Sequence, residues 1–480
     1  MIPVCTPDEM AAVDATATEP LDVLIGRAGA AVARAVLDEL GGGYGRRVAV
    51  LAGKGSNGAD GRVAADLLAR RGVRATVVDA ATASGHLPAT AAHAVDLVVD
   101  AGYGTGLGRP FDAPVVEAPV LAVDLPSGLD GLTGEARGRP LAAFRTVTFA
   151  ALKPGLLFGD GPALAGLVDV VDLGLDVSGA MAHLLTDADI AGLVPPRPVD
   201  AYKWQRACWV IAGSLGMEGA AGLAATAALR AGAGYVRLSV PGDGSPGIPD
   251  EPGVPEEVVR VPVAADLGLD GPEGSDRDRF ASMVVGPGLG TAPEVAAAVR
   301  RLVASSGPPL VVDGDGLTAL TVLTGGPVSP EGRPLILTPH DGEFTRLAGG
   351  PPGPDRMDTA RALASDTGAV VLLKGPTTVV AAPDGRVLLA ASGDARLATA
   401  GSGDVLAGII GAFLARGAAP LEAAAAAAHV HGRLVTAPRV DSPPSVGSST
   451  GVVAGDLAAR LVSVLTDLSI DAVDTPGGED

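Results

Sequence analysis

The sequence predicts an α/β protein of two domains, each a mostly parallel sheet with helices packed over it. Three observations carry this. Short apolar runs alternate with helical patterns along most of the chain, the arrangement that yields parallel strands joined by crossover helices. The length, 480 residues, is too great for one compact core, since a domain takes roughly 100–200 residues. The alternation also breaks at residues 193–200, LVPPRPVD, where Pro195, Pro196 and Pro198 read as a linker.

In the first half, strands are expected at 48–51, 75–79, 97–100, 121–124, 146–149 and 168–171. Each is a short apolar run that closes near Gly, Asp or Pro, as buried parallel strands do. Residues 6–40 read as helical. Residues 60–71 place Val63, Leu67 and Leu68 on one helical face, and Gly72 stands where a C′ glycine stands. Beyond the linker, strands are expected at 209–211, 235–240, 283–285, 310–312, 335–337 and 370–373. Residues 377–390 read as a hairpin turning at Asp384-Gly385. Thr291 and Glu294 are spaced as a capping box. Helices follow at 403–416, 421–434 and 453–465. The Pro/Gly-rich stretch 241–255 reads as a surface loop and 475–480 as a frayed tail.

Composition narrows the function. Lys and Arg total 35 against 55 Asp and Glu, a net charge of −20. So acidic a chain offers no broad phosphate-neutralising surface, and nucleic acid is not an expected partner. A local basic pocket for a small anion is compatible with it. No apolar stretch reaches the roughly 18–20 residues of a membrane helix, so no membrane partner is expected. The opening MIPVCTPDEMAAVD has neither the basic nor the apolar segment of a secretory signal. Cys5 and Cys208 stand far apart, which argues against a disulfide framework and a zinc site. A cytoplasmic protein is the expectation. With aromatics at 3%, its cores must be built of Ala, Val and Leu.

The loop GKGSNGADG, residues 53–61, follows a strand and opens a helix. Gly53, Gly55 and Gly58 satisfy G-x-G-x-x-G, and Asp79 lies about 20 residues on, the spacing of a dinucleotide fingerprint. Glycines there let the backbone approach a phosphate at a helix N-terminus. The same letters describe a tight turn with no ligand, and both readings stay open. Asn57 and Asp60 are odd in a plain phosphate cradle; their oxygens suit a cation or a hydroxylated ligand. Three further stretches end strands: DAGYGTGLGRP (100–110), VDLPSGLDGLTGE (123–135) and FAALKPG (149–155). Open α/β sheets bind ligands at strand C-termini. Asp100, Asp124, Ser127 and Lys153 therefore share a rim, where a carboxylate and a lysine can exchange protons with a ligand. Taken singly, each is equally a solvated loop-end residue.

In the second half, LATAGSGDVLAGIIGAFLARG (397–417) sets Gly-Ser-Gly-Asp at the start of an apolar helix. The amides of 401–403 would face an anion, helped by the helix dipole. Asp404 can there take the proton of a hydroxyl that attacks a phosphoryl group, or it can simply cap the helix. KGPTTVVAAPDGR (374–386) puts a lysine and two threonines at a strand end, suited to nucleotide phosphate. GPGLGTAPE (286–294) is a glycine loop after a strand, and LTPHDGEFTRL (337–347) places His340 and Glu343 after another. His429 and His431, on an alanine-rich helix, read as packing residues.

GKGSNGADG, DAGYGTGLGRP, AVDLPSGLDGLTGE and ALKPG resemble the NAD(P)H-hydrate epimerase domain, the YjeF N-terminal family, over residues 1–185. The resemblance implies a Rossmann-like parallel sheet. It implies hydrate contacts at Ser56, Asn57, Gly58, Ala59 and Asp60, at Gly104, Thr105, Gly106, Leu107, Gly108, Arg109 and Pro110, and at Asp124. It implies a K⁺ site at Asn57, Asp100 and Ser127, and proton chemistry at Asp124 and Lys153. The family's usual Asn-Asn-Gly-Gly-Asp is here Ser56-Asn57-Gly58-Ala59-Asp60, so a left-handed backbone at position 59 would strain Ala59.

From YKWQRACWVIAGSLGMEGAAGLAATAALRAGAGYV through GPGLG, VVDGDGL, LTPHDGEFTRL and LLKGPTT to AGSGDVLAGII, the second half resembles the ADP-dependent NAD(P)H-hydrate dehydratase domain. That domain is ribokinase-like, and it is expected over residues 186–474. The resemblance implies hydrate contacts at Ala220, Gly288 and His340. It implies nucleotide contacts at Lys374, Gly375, Pro376, Thr377, Thr378 and Gly403, with Asp404 at the reacting hydroxyl. Mg²⁺ and ADP or ATP as phosphoryl donor follow from it. Ser402 stands for the usual Gly or Thr, and Gly314-Asp315-Gly316 for Ala-Asp-Ala. Together the halves resemble the bifunctional NAD(P)H-hydrate repair enzymes, with a small-molecule substrate, an adenine nucleotide and a homo-oligomeric state as expectations. Two other readings stand beside this one: a small-molecule kinase of the same fold, and an N-terminal module that binds without catalysing.

Overall fold

The computed structural model of the chain describes residues 1–83, 95–242, 254–267, 276–320, 328–329, 332–436 and 451–470. Two compact units result, Ile2–Ala182 and His183–Asp480. The expected loop at 241–255 lies mostly, and the tail at 475–480 wholly, outside the described residues.

The first unit is a six-stranded parallel sheet in the order Arg74–Asp79, Arg47–Ala52, Leu97–Ala101, Val120–Val123, Arg145–Phe149, Leu167–Val171. All six expected strands are present, displaced by at most one residue at either end. The sheet order reverses around Arg47–Ala52, which is flanked by the next two strands of the chain. Crevices of open α/β sheets form at such a switch point. Val32 and Val36 of helix Leu21–Leu40 and Ala64 and Leu68 of helix Ser56–Arg70 pack on Val48, Val50, Val99 and Leu121. Two expectations need correcting. Residues 6–40 are two helices, Pro7–Ala15 and Leu21–Leu40, because Pro20 cannot donate a helical hydrogen bond. The helix opened by the 53–61 loop starts at Ser56, four residues earlier than expected, so Ser56, Asn57 and Gly58 form its first turn. Gly72 does take the left-handed conformation expected of it, with φ 87°.

The second unit has a longer sheet. Its central order is Val387–Ala390, Thr378–Ala381, Val370–Leu373, Leu335–Leu337, Leu310–Val312, Ser282–Val285, Ala207–Ile211, Tyr235–Ser239, Val259–Arg260. Of these nine strands Thr378–Ala381 alone runs against the rest, antiparallel to both its neighbours. Alternate residues of a strand face opposite layers: Cys208 and Val210 join the core with helices Glu218–Arg230, Ser402–Ala415, Pro420–Thr436 and Ala454–Asp467. Trp209 and Ile211 join the core with helices Pro293–Val303, Asp315–Leu320 and Asp341–Ala348. The 193–200 stretch is no free linker. It lies inside this unit, where Arg416 and Arg206 donate to the Pro195 and Pro196 carbonyls. The Thr291–Glu294 capping box is not formed either. The helix begins at Pro293 behind Ala292 without a side-chain cap, as suits a proline at the first helical position. Among the described residues no helix is long and apolar enough to cross a membrane.

Candidate active sites in the two units

In the first unit a cleft of about 600 Å³ opens at the switch point. It is lined by Ser56, Asn57 and Asp60, by Gly104, Thr105, Gly106 and Leu107, and by Asp124 and Lys153. Gly58, Ala59, Gly108, Arg109 and Pro110 do not line it. Arg109 turns its guanidinium to the Tyr103 hydroxyl at 3.3 Å. The N-terminal helices and the segment between them contribute Met10, Asp14, Glu19, Leu24 and Ile25, to which no role was given from sequence.

The two proton-transfer candidates touch. Lys153 Nζ lies 2.6 Å from Asp124 Oδ1 and donates to Thr148 Oγ1 and the Phe149 carbonyl, each at 3.0 Å. Thr148 Oγ1 donates in turn to Asp124 Oδ1 at 3.1 Å. Lys153 is buried. The backbone sets this pair. Asp124 follows the strand Val120–Val123 with φ 67°, and Ala150 follows Arg145–Phe149 with φ 61°. Leu125 N–H donates to the Val123 carbonyl and Ala151 N–H to the Phe149 carbonyl, at 2.8 and 2.7 Å. Two adjacent strand ends thus carry the rare, strained γ-turn, of the kind that gathers at functional sites.

Below the cleft, Asp100 is fully buried. It accepts from the Ser127 hydroxyl at 2.6 Å and from the amides of Ser127 and Gly102 at 2.8 and 3.2 Å. Burial raises its carboxyl pKa, and these hydrogen bonds only partly restrain the shift. Ser127 Oγ also accepts from Tyr103 N–H at 2.8 Å. Asn57 buries both side-chain polar atoms without a hydrogen-bond partner. A Cβ built on Gly104 would meet Asp124 Oδ2 at 2.9 Å and Asn57 Cγ at 3.8 Å, and one on Gly102 would meet Asp100 Oδ1 at 3.4 Å. The Gly102 to Gly104 backbone therefore joins the Asn57, Asp100 and Asp124 groups.

The strain expected at Ala59 is absent. Ala59 lies within the helix Ser56–Arg70 and is not among the positive-φ residues. The demanding position is Gly58, where a Cβ would sit 1.9 Å from the Gly53 carbonyl oxygen. Ala59→Gly is accordingly expected to destabilise the protein by about 0.5–1 kcal/mol, as glycine does inside a helix. Thermal unfolding checks this; a gain in stability would restore the idea of a strained alanine.

In the second unit the strand ends converge on Lys374. Its ammonium lies 2.6 Å from Asp313 Oδ1, and Thr338 Oγ1 donates to the same oxygen at 2.6 Å. Asp313 and Thr338 are buried. A Cβ on Gly403 would lie 3.3 Å from Lys374 Nζ. Burial alone would lower the Lys374 pKa, but Asp313 and Glu343 hold it above its ordinary value. Arg356 donates to the Lys374 carbonyl at 2.9 Å and pairs with Asp341, bracing the turn that carries Gly375 and Pro376. Thr377 is buried and Thr378 half-buried on the following strand.

Asp404 does not cap its helix. Gly401, with φ 86°, is the N-cap, no side chain caps it, and Asp404 is the third helical residue. Ser402 N–H donates to the Thr399 carbonyl at 3.2 Å, which leaves the anion to the next first-turn amides, unpartnered in any helix. Burial, then Asp313, push the Asp404 carboxyl up to about 7, against the pull of Lys374. His340 is exposed; its Nδ1 accepts from the Gly342 and Glu343 amides, and its own amide donates to Glu343 Oε2 at 2.9 Å. Gly288 lies against Ala220, with 2.7 Å from a built Cβ to the Ala220 Cβ. His431 and His429 are buried and hydrogen-bonded, to Ser402 at 3.1 Å and Asp187 at 2.7 Å. Burial, with Lys374 adding, lowers the His431 pKa to about 4, so it is neutral.

Sequence reasoning passed over Asp313, Thr338, Arg356 and Thr148. Asp313 stands one residue beyond the strand Leu310–Val312, so the strand-end rule that singled out Asp124 would have found it. Arg356 had no such signal; it is on a helix after a turn and reaches Lys374 only through the fold.

The family model "NAD(P)H-hydrate dehydratase" matches residues 208–439, and that of the "YjeF-related protein N-terminus" matches 21–91 and 78–155. The bifunctional NAD(P)H-hydrate repair enzyme of Salinibacter ruber is 36% identical, over 90% of this chain and 91% of its own. That of Mycobacterium tuberculosis is 40% identical over 82% and 84%. This chain belongs to the family of bifunctional NAD(P)H-hydrate repair enzymes. Among solved structures, a ribokinase-like superfamily protein of Enterococcus faecalis aligns with 60% of the chain and 97% of its own at TM-score 0.51 and 20% identity, which shows the shared fold. The expected α/β architecture, with its Rossmann-like first domain and ribokinase-like second, thus stands for this member of the family.

Proposed function

We propose that this chain repairs hydrated nicotinamide dinucleotides, with residues 1–185 as epimerase and 186–474 as dehydratase. The Asp313–Lys374 pair beside Gly403, with Asp404 on the same helix start, carries the second assignment. Hydration of a dihydronicotinamide ring leaves a hydroxyl on C6, in R and S forms. Hydroxide is a poor leaving group and phosphate a good one. Asp404 takes the proton of the 6-hydroxyl as its oxygen attacks the terminal phosphoryl group of ADP or ATP. Lys374 and the first-turn amides stabilise the charge on that group. Loss of the C5 proton and of phosphate restores the ring double bond. Ala220, Gly288 and His340 are assigned to the hydrate, and Lys374, Gly375, Pro376, Thr377, Thr378 and Gly403 to the nucleotide. Among the described residues no three His, Cys, Asp or Glu converge as a metal cage, so Mg²⁺ belongs with the nucleotide phosphates, which usually complete its shell.

In the first unit, Asp124 and Lys153 exchange protons with the hydroxyl from the wall of the cleft. The orphaned Asn57 amide and the Asp100 carboxyl with its neutral donors fit K⁺, with Ser127 beside them. Bound there, K⁺ supplies positive charge next to the loop that faces the hydrate.

The test is incubation of the full chain with an R/S mixture of the hydrate, Mg²⁺ and ADP or ATP. Return of reduced-nicotinamide absorbance for both epimers, with phosphate release, is expected. Return of the S portion alone would leave the first unit a binding module. A stable phosphorylated product from another small molecule, without hydrate turnover, would favour the kinase reading.

A further inference from the structure

Epimerisation at C6 must move a hydroxyl from one ring face to the other. C6 is bonded to the ring nitrogen, whose lone pair can expel the hydroxyl once that oxygen is protonated. The C6–O bond breaks, water departs, and a C6=N⁺ bond remains. Water then adds on the opposite face and loses a proton. One event needs a proton given and the next needs one taken, and the reverse reaction exchanges the roles. Such a site needs two proton-transfer groups, and the Asp124–Lys153 pair is one.

We infer that Asp60 is the second, a general acid and base that works with Asp124 across the hydrate ring. The inference rests on the epimerase reading above. Asp60 lines the same cleft as Asp124 and Lys153 but is carried by a different element, the helix Ser56–Arg70. Asp60 is buried, 7% exposed. The other charged groups lining the cleft are Asp14 and Glu19 from the N-terminal segment, Asp124, and Lys153, whose ammonium is committed to Asp124. Asp60 is thus a carboxyl buried among acids. Burial, then Asp124, push it up to about 8, so it holds its proton at neutral pH. A neutral acid beside an ion-paired carboxylate gives one donor and one acceptor at the start of a turnover, and two such groups in distinct environments are how acid and base roles are divided. In one direction the Asp60 proton goes to the leaving oxygen and the proton of the entering water passes to Asp124; exchange with solvent then returns a proton from Asp124 to Asp60 before the next turnover in that direction, and the reverse reaction runs the same steps backwards. No proton is gained or lost overall.

The experiment uses the full chain and R-hydrate without nucleotide, so that the second unit is idle, and follows S-hydrate by chromatography that separates the epimers. Asp60→Asn is expected to slow interconversion by at least about 10²-fold with little change in KM, since the amide fills the same space and still donates a hydrogen bond. Asp60→Glu, which keeps the carboxyl, is expected to recover part of the rate. Wild-type turnover by Asp60→Asn, with Asp124→Asn slow, would reduce Asp60 to a contact residue and overturn the inference alone. Equal losses in the Asn and Glu variants, with unfolding transitions like the parent's, would assign it to packing. An inert parent chain would overturn the epimerase reading and this inference with it.

Discussion

Replacing Asp404 with asparagine is expected to lower nucleotide-dependent dehydration of the S-hydrate by at least about 10²-fold, while nucleotide binding and R/S interconversion persist. The fold should survive. Gly401, not Asp404, caps the helix, and asparagine is close to aspartate in size and hydrogen bonding. The pH dependence has a definite sign. Burial and Asp313 place the Asp404 carboxyl at about 7, and a base must be deprotonated to act. The rate of the parent chain should therefore rise with pH through about 7 and level off above it. In the variant that limb should vanish, leaving a low, flat profile. Steady-state rates from pH 5.5 to 8.5, with nucleotide affinity measured separately, decide the matter. A variant with the parent's rate and profile would leave Asp404 without a chemical role.

Asp124→Asn is expected to abolish R/S interconversion, by about 10²- to 10⁴-fold, and to leave S-hydrate dehydration at the parent's rate. Asparagine is the informative replacement for two reasons. Position 124 has φ 67°, a conformation that asparagine tolerates far better than alanine does. The amide oxygen can also still accept from Lys153 and Thr148, so the ammonium of Lys153, whose side chain is only 4% exposed, keeps a partner. Asp124→Ala would add a separate cost, since removing one member of a buried ion pair typically destabilises by about 3–5 kcal/mol. Following both epimers without nucleotide, and dehydration with it, separates the two activities in one preparation. Interconversion at the parent's rate would remove Asp124 from the proton chemistry.

Much of this site was legible because strand ends leave a mark in sequence. An apolar run that stops at Asp or Lys, as at Asp100, Asp124 and Lys374, places a charged group at the rim of a parallel sheet. Strand positions follow from the same runs, and the six of the first unit differ from expectation by at most one residue at either end. Where the first helix breaks was also written in the chain, in Pro20, although reading 6–40 as one helix overlooked it.

The rest depended on distance. Ala59 looked strained because the motif was read as a loop, whereas the chain there is already helical and the tight approach falls on Gly58. The partners Thr148, Asp313 and Thr338 lie on other strands or at their ends, and hydrogen bonds between strand ends cannot be read from spacing. A carboxyl pKa likewise depends on burial and neighbouring charge in three dimensions, so the raised pKa values of Asp60 and Asp404 left no mark in the sequence. Local pattern by itself determined where strands end and which side chains stand there, because backbone periodicity and turn chemistry are properties of adjacent residues. Only the tertiary structure decided which of those side chains meet and which keep their protons, because burial and Coulomb interaction depend on packing between segments far apart in the chain.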